Sequence, residues 1–239
     1  MTTFSEHISA LHADHQAQEI PFFAHLAKVD PAIMKDPAVL GELYRRYQAG
    51  MHATRVMVYF LPHLDTPALR TRKLQIYIDD DGLPGGDTHH AQLRRAFVDM
   101  GAQLEPSDDD RYGDLDLLAA ELDPSTARFV KTVKTLYTRS LGAWCVTENF
   151  SDDWLHAFAD ALAVHHPSVR DATYFAECFA EGVEERHGEE SLQITEDILK
   201  ARADLTAHTF ADAGIMAEAL HAFWVSLDEV LVEAERARA

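Results

Sequence analysis

Two cysteines in 239 residues, Cys145 and Cys178, are too few for a disulfide framework and point to a reducing compartment. Eleven glycines and nine prolines are too few for a loop-rich β protein. No apolar run approaches the roughly 18 residues needed to cross a bilayer, and the opening MTTFSEHISALHADHQ has neither the basic start nor the apolar stretch of a secretion signal. A cytoplasmic protein without membrane contact is expected. Basic residues are scarce, 21 against 40 acidic ones, and the net charge of −19 argues against nucleic acid as a partner, because phosphate binding needs a basic surface. Apolar residues are plentiful: at 47% of the chain they suffice for a packed core and exclude disorder. Histidine, with 14 residues, directs attention to metal or proton chemistry.

The dominant period is helical. DPAVLGELYRRYQAGMHATRVMVYFL (36–61) carries apolar residues at three-and-four spacing and is closed by Pro62. Thr66 and Pro67 open a helix to about Ile78, and the glycine-rich DDDGLPGGD (79–87) breaks it. Another helix runs from near Thr88 to about Met100, and SDDDRYGDLD (107–116) reads as an acidic loop. Pro124 starts a long helix that the pattern carries through Phe150, with Ser151 capping the next one to about Val164. A single long helix is expected over 173–203 and a last one from about Thr209 to Arg236. No stretch alternates like a strand, no linker separates domains, and the expectation is one all-α domain over 1–239 with about eight helices.

Serine-nucleophile elbows, phosphate-binding glycine loops, paired C-x-x-C motifs and H-E-x-x-H are all missing. Carboxylates and histidines remain. Glu184 and His187 stand three apart on one helix, about 60° apart around its axis, so both can aim at one point. Glu-x-x-His facing a bundle interior is the ligand pair of carboxylate-bridged diiron proteins, and oxygen plus imidazole donors suit Fe(II) or Mn(II). Glu148 lies in the almost wholly apolar GAWCVTENF, where burying a carboxylate is costly unless it is paired, protonated or metal-bound. Asp79, Asp80 and Asp81 end one helix while His89 and His90 open the next, which brings an acid and an imidazole together across the glycine-rich loop. Tyr44, Tyr47 and Trp144 are candidate pocket aromatics, whereas His25, His63 and His221 read as packed or surface histidines.

The order of these pieces resembles the heme-oxygenase-like diiron oxidases and oxygenases over most of the chain. PFFAHLAKV is similar to that family's opening helix, D-D-D-G…G-G-D-x-x-H-A-x-L to its first acid-and-histidine segment, LGAWCVTENF to its second ligand helix, YFAECFAEGVEERHGEES to its third and ALHAFWVSLDEVL to its last. The resemblance implies metal ligation by Asp80, ten residues before His90, and by His90, Glu148, Glu184 and His187. It implies Fe(II), as two ions, with O2 as co-substrate and oxidation of a small amino-acid-, amine- or fatty-acid-like molecule in a biosynthetic pathway. A homodimer is also implied. The third helix departs from the family's H-x-x-x-D-x-x-H: Ala180 stands where the first histidine belongs, with Glu181 or Glu177 as possible substitutes, which leaves the second ion in doubt. Two other readings stay open: a metal-free, thiaminase-like enzyme with Cys145 as nucleophile, and a non-catalytic accessory protein on the same scaffold.

Overall fold

A computed structural model describes residues 2–58, 60–61, 66–72, 74, 88–105 and 121–239. These residues form α-helices and short 3-10 turns and contain no strand: α1 (Phe4–Asp14), α2 (Pro21–Leu26), α3 (Pro37–Val58), α4 (His89–Met100), α5 (Pro124–Tyr137), α6 (Gly142–Ala163), α7 (Thr173–Cys178), α8 (Val183–Ala201), α9 (Thr206–Ser226) and α10 (Asp228–Arg238). None of the helices among the described residues is long and apolar enough to cross a membrane. The all-α architecture expected from the periodicity is therefore the one observed.

Local chemistry sets many of the helix starts. Thr88 accepts from the Ala91 amide at 3.1 Å to begin α4, and Gly101, at φ 103°, closes it in the left-handed region that side chains avoid. Asp123 accepts from the amides of Ser125 and Thr126 ahead of α5, whose first position is Pro124.

The segment expected as one helix from Pro124 through Phe150 is two. It breaks over 138–141, and Ser151 lies inside α6 rather than capping a new helix. The break is held from far along the chain. Asp212 of α9, fully buried, accepts from Ser140 Oγ at 2.9 Å and pairs with the Arg139 guanidinium. The expected helix over 173–203 is also divided, because Gly182 adopts φ 67° between a 3-10 turn (Ala180–Gly182) and α8. The last helix bends at Leu227, which separates α9 from α10.

α6 is the central helix, packed on α9 and α8. Its Trp154 and Phe158 meet Trp224 of α9 at ring-centroid distances of 5.9 and 5.4 Å, and Tyr47 of α3 adds contacts at 4.9 Å to Phe158 and 5.3 Å to Trp224. This aromatic wall is the rigid floor on which the candidate site rests.

His25 ties α2 to the C-terminal helix. Its Nδ1 lies 2.6 Å from Asp228 Oδ1 and its Nε2 3.3 Å from Glu235 Oε1. Burial opposes its charge, but the two carboxylates outweigh that and raise its pKa above the ordinary value of 6.5. A raised folded-state pKa adds stability that is complete below the unfolded value and is lost as pH rises through the folded one. Melting curves of the wild type and His25→Gln should therefore differ at about pH 6, in favour of the wild type, and converge by about pH 9. A constant gap across that range would show that the imidazole charge plays no part.

Candidate functional site

One cavity of about 80 Å³ opens between α3, α4, α5, α6, α7, α8 and α9. A single water needs roughly 10–15 Å³ of such space, so the cavity takes several waters or a small organic molecule. Most of its wall is apolar: Met51, Val58, Phe150, Trp154, Leu220 and Trp224 among others. Against that wall stand the chemically active groups Glu148, Glu184, His89, Arg55, Tyr174 and Cys178.

Glu148 comes from α6, and its Oε1 accepts from the indole Nε1 of Trp144, one turn earlier, at 2.6 Å. That bond fixes the carboxylate against a side chain that is itself fully buried. Glu184 is the second residue of α8, where unpaired backbone amides favour a negative charge. It is 7% exposed, and Ser151 Oγ of α6 lies 2.7 Å from its Oε2. The same hydroxyl is 2.9 Å from the Glu148 carbonyl, but its one hydrogen goes to the carboxylate, the stronger acceptor. Burial drives the Glu184 pKa above the ordinary glutamate value; the Ser151 bond, the charge of Arg55 and a bond from the Cys178 thiol offset part of that rise.

Tyr174 closes the far side. Arg55 Cζ lies 6.0 Å from its ring centroid, and the His89 ring meets it edge-on at 5.7 Å and 82°. Its hydroxyl is 3.0 Å from that of Tyr47, and burial pushes both phenols well up.

The structure sorts the expected site residues. Glu148 and Glu184 share the cavity. His187 is buried one turn beyond Glu184, as the three-residue spacing requires, but does not line the cavity. His90 turns away: Gln48 Nε2 donates to its Nδ1, and its ring sits 6.3 Å from that of His52. Its neighbour His89, 4% exposed, takes the cavity position. Glu177 is exposed and accepts from Gln92 Nε2 at 2.6 Å, outside the cavity. Ala180 is exposed in the 3-10 turn, and the left-handed Gly182 after it removes any helical spacing between positions 180 and 184. Asp79, Asp80, Asp81, His63 and the Glu181 side chain lie outside the described residues.

The expected pocket aromatics are displaced as well. Tyr44, Tyr47 and Trp144 are fully buried and do not line the cavity; Tyr137, Tyr174, Trp154 and Trp224 do. Cys145 is not on the wall either. Its sulfur lies 2.9 Å from Thr195 Oγ1 and 3.3 Å from the Ser191 carbonyl, and burial pushes its thiol up to about 12, the opposite of what a nucleophile needs. Arg55 and Tyr174 went unnoticed in the sequence, and Ser151 was expected only as a helix cap. Arg55 alone left a trace there, a cation inside the apolar run of α3.

Among the described residues no group of three or more His, Cys, Asp or Glu side chains is gathered closely enough to hold a metal ion. The donor types at the cavity, two carboxylates and an imidazole, suit iron(II), but their number there falls short of a complete ligand set. No family model matches the chain, and no curated protein matches it.

Proposed function

We propose that the cavity is the active site of an iron(II)-dependent, oxygen-activating enzyme for a small substrate. One observation carries this reading: two carboxylates from different helices, Glu148 and Glu184, are held on the wall of a single small, mostly apolar cavity. Burying an acid such as Glu184 without a cation bound directly to it costs stability, so its presence at a cavity points to use rather than to packing. Glu148 and Glu184 would supply carboxylate ligands to iron, and His89 an imidazole in place of the expected His90. Bound iron(II) supplies the electrons that dioxygen needs to react with a substrate.

The chain's own part is to position and to protect. Trp144 and Ser151 hold the two carboxylates in fixed rotamers, so that little has to reorganise when a ligand arrives. Arg55 offsets the negative charge of Glu184 until a cation takes over that role. Trp154, Trp224, Phe150 and Leu220 keep bulk water from the reacting centre. The metal-free reading through Cys145 lacks a cavity position for its nucleophile. The accessory-protein reading leaves the cost of the buried Glu184 without a purpose.

Anaerobic titration of the purified chain with Fe(II), followed by iron counting after desalting, tests the proposal. At least one iron per chain is expected in the wild type, with the count lost in Glu148→Ala and His89→Ala while the helical circular dichroism is kept. A folded wild-type chain that retains no iron overturns it.

A further inference from the structure

One donor on the cavity wall is left over. Trp154 of α6 is 1% exposed and lines the cavity, and its indole Nε1–H is buried with no hydrogen-bond partner among the described residues. The hydroxyls of the wall are spent on protein oxygens: Ser151 donates to Glu184, Tyr137 to Thr147 at 2.8 Å, Thr147 to the Ala143 carbonyl at 3.2 Å and Thr54 to the Met51 carbonyl at 2.7 Å. The rings beside the indole, Phe150 at 5.6 Å and Trp224 at 5.9 Å, offer only weak π acceptors. A buried donor without an acceptor is destabilising, and protein interiors rarely keep one. On the wall of a cavity, the acceptor is one that a ligand brings. Glu148, Ser151 and Trp154 follow one another at three-residue steps along α6, so this donor stands about 4.5 Å of helix rise beyond the serine that holds Glu184.

Size and charge narrow the ligand. A cavity of about 150 Å³ holds benzene, so one of about 80 Å³ holds roughly four non-hydrogen atoms. Glu148 and Glu184 outnumber the guanidinium of Arg55 on the wall, which disfavours an anion. An ammonium group has no lone pair to offer the indole. A hydrocarbon would fill the apolar part of the cavity and leave the donor unmatched. An uncharged oxygen acceptor on a short apolar body satisfies all of these conditions.

We propose that the cavity binds a small uncharged carbonyl group, of the ketone or amide class, whose oxygen accepts from Trp154 Nε1–H, and that Trp154 sets this specificity. Resting on the reading of the cavity as a substrate site, the assignment states which chemical group the substrate presents there.

Nitrogen-15 NMR of the full chain, without added metal, tests it with four probes of one shape: acetone, 2-methylpropene, acetate and isopropylammonium. Trp144, Trp154 and Trp224 give three indole signals; Trp154→Phe, or the contact of the ring with Phe150, identifies the relevant one. Acetone at millimolar concentration should move that proton downfield. 2-Methylpropene, which fills the same space without an oxygen, should not, and neither should acetate or isopropylammonium. In Trp154→Phe acetone should bind about fivefold more weakly, read from the methyl signals of Met51 and Leu220, while 2-methylpropene binds as before. Should that variant not fold, the comparison of probes on the wild type decides alone. An indole proton that no probe moves, because a resident water already accepts from it, overturns the proposal, and so does one that acetate moves further than acetone. Iron retention by the wild type is measured apart from this. Iron bound without an acetone response refutes the carbonyl assignment alone, and an acetone response without iron refutes only the iron reading.

Discussion

Gly142→Ala is expected to destabilise the fold by about 3 kcal/mol, although alanine is the better helix former by about 1 kcal/mol. Gly142 opens α6 where that helix crosses the start of α9. A methyl group at this position would overlap the Thr209 carbonyl oxygen and lie 2.9 Å from its carbon and 3.0 Å from the Ala213 amide nitrogen. All three are backbone atoms, so no side chain can swing aside, and relief requires the two helices to part. α6 and α9 hold the aromatic wall between them, so the cost spreads into Trp154, Phe158 and Trp224. Urea unfolding of the two proteins at one pH gives the difference directly. Unchanged or increased stability in the variant would mean that the helices do not approach as closely as described.

Glu184→Gln should separate stability from function. The amide keeps the shape of the side chain and can still accept from Ser151, while the charge that burial penalises is gone. The apo-protein should therefore become more stable by about 1 kcal/mol at neutral pH, as expected when a strained functional group is replaced. That gain should shrink in acid, because a carboxylate with a raised folded-state pKa costs nothing once it is protonated in both states. Iron(II) affinity should fall by more than the roughly 10–100-fold that the loss of an outer partner of a ligand costs. A variant that melts lower than the wild type yet binds iron equally well would return Glu184 to a packing role.

Much of the candidate site was legible because its signals are local. A three-residue spacing puts Glu184 and His187 on one side of α8 in whatever fold contains that helix, and both are buried. Glu148 was marked by its apolar neighbours, and it does reach the cavity. The choice between His89 and His90 was not legible. Adjacent residues point about 100° apart, and the face α4 turns inward is set by its docking on α3 and α7, which no local pattern encodes. Ser151 was misread for a related reason: a serine followed by two aspartates carries the signature of a helix start, but here its hydroxyl serves Glu184, 33 residues on. The true start of α6 depends on Asp212, which lies 72 residues beyond Ser140.

The amino-acid pattern decided the helical class, most of the helix starts and the presence of acids and imidazoles on inward faces, because these follow from spacings within a turn or two of one helix. Only the packed chain decided where helices break and which histidine and which cysteine meet the cavity. Those outcomes depend on contacts between residues far apart in sequence, such as Gly142 with Thr209 and Ser151 with Glu184. Only the mutual docking of the helices brings such pairs together, and no short stretch of sequence contains that information.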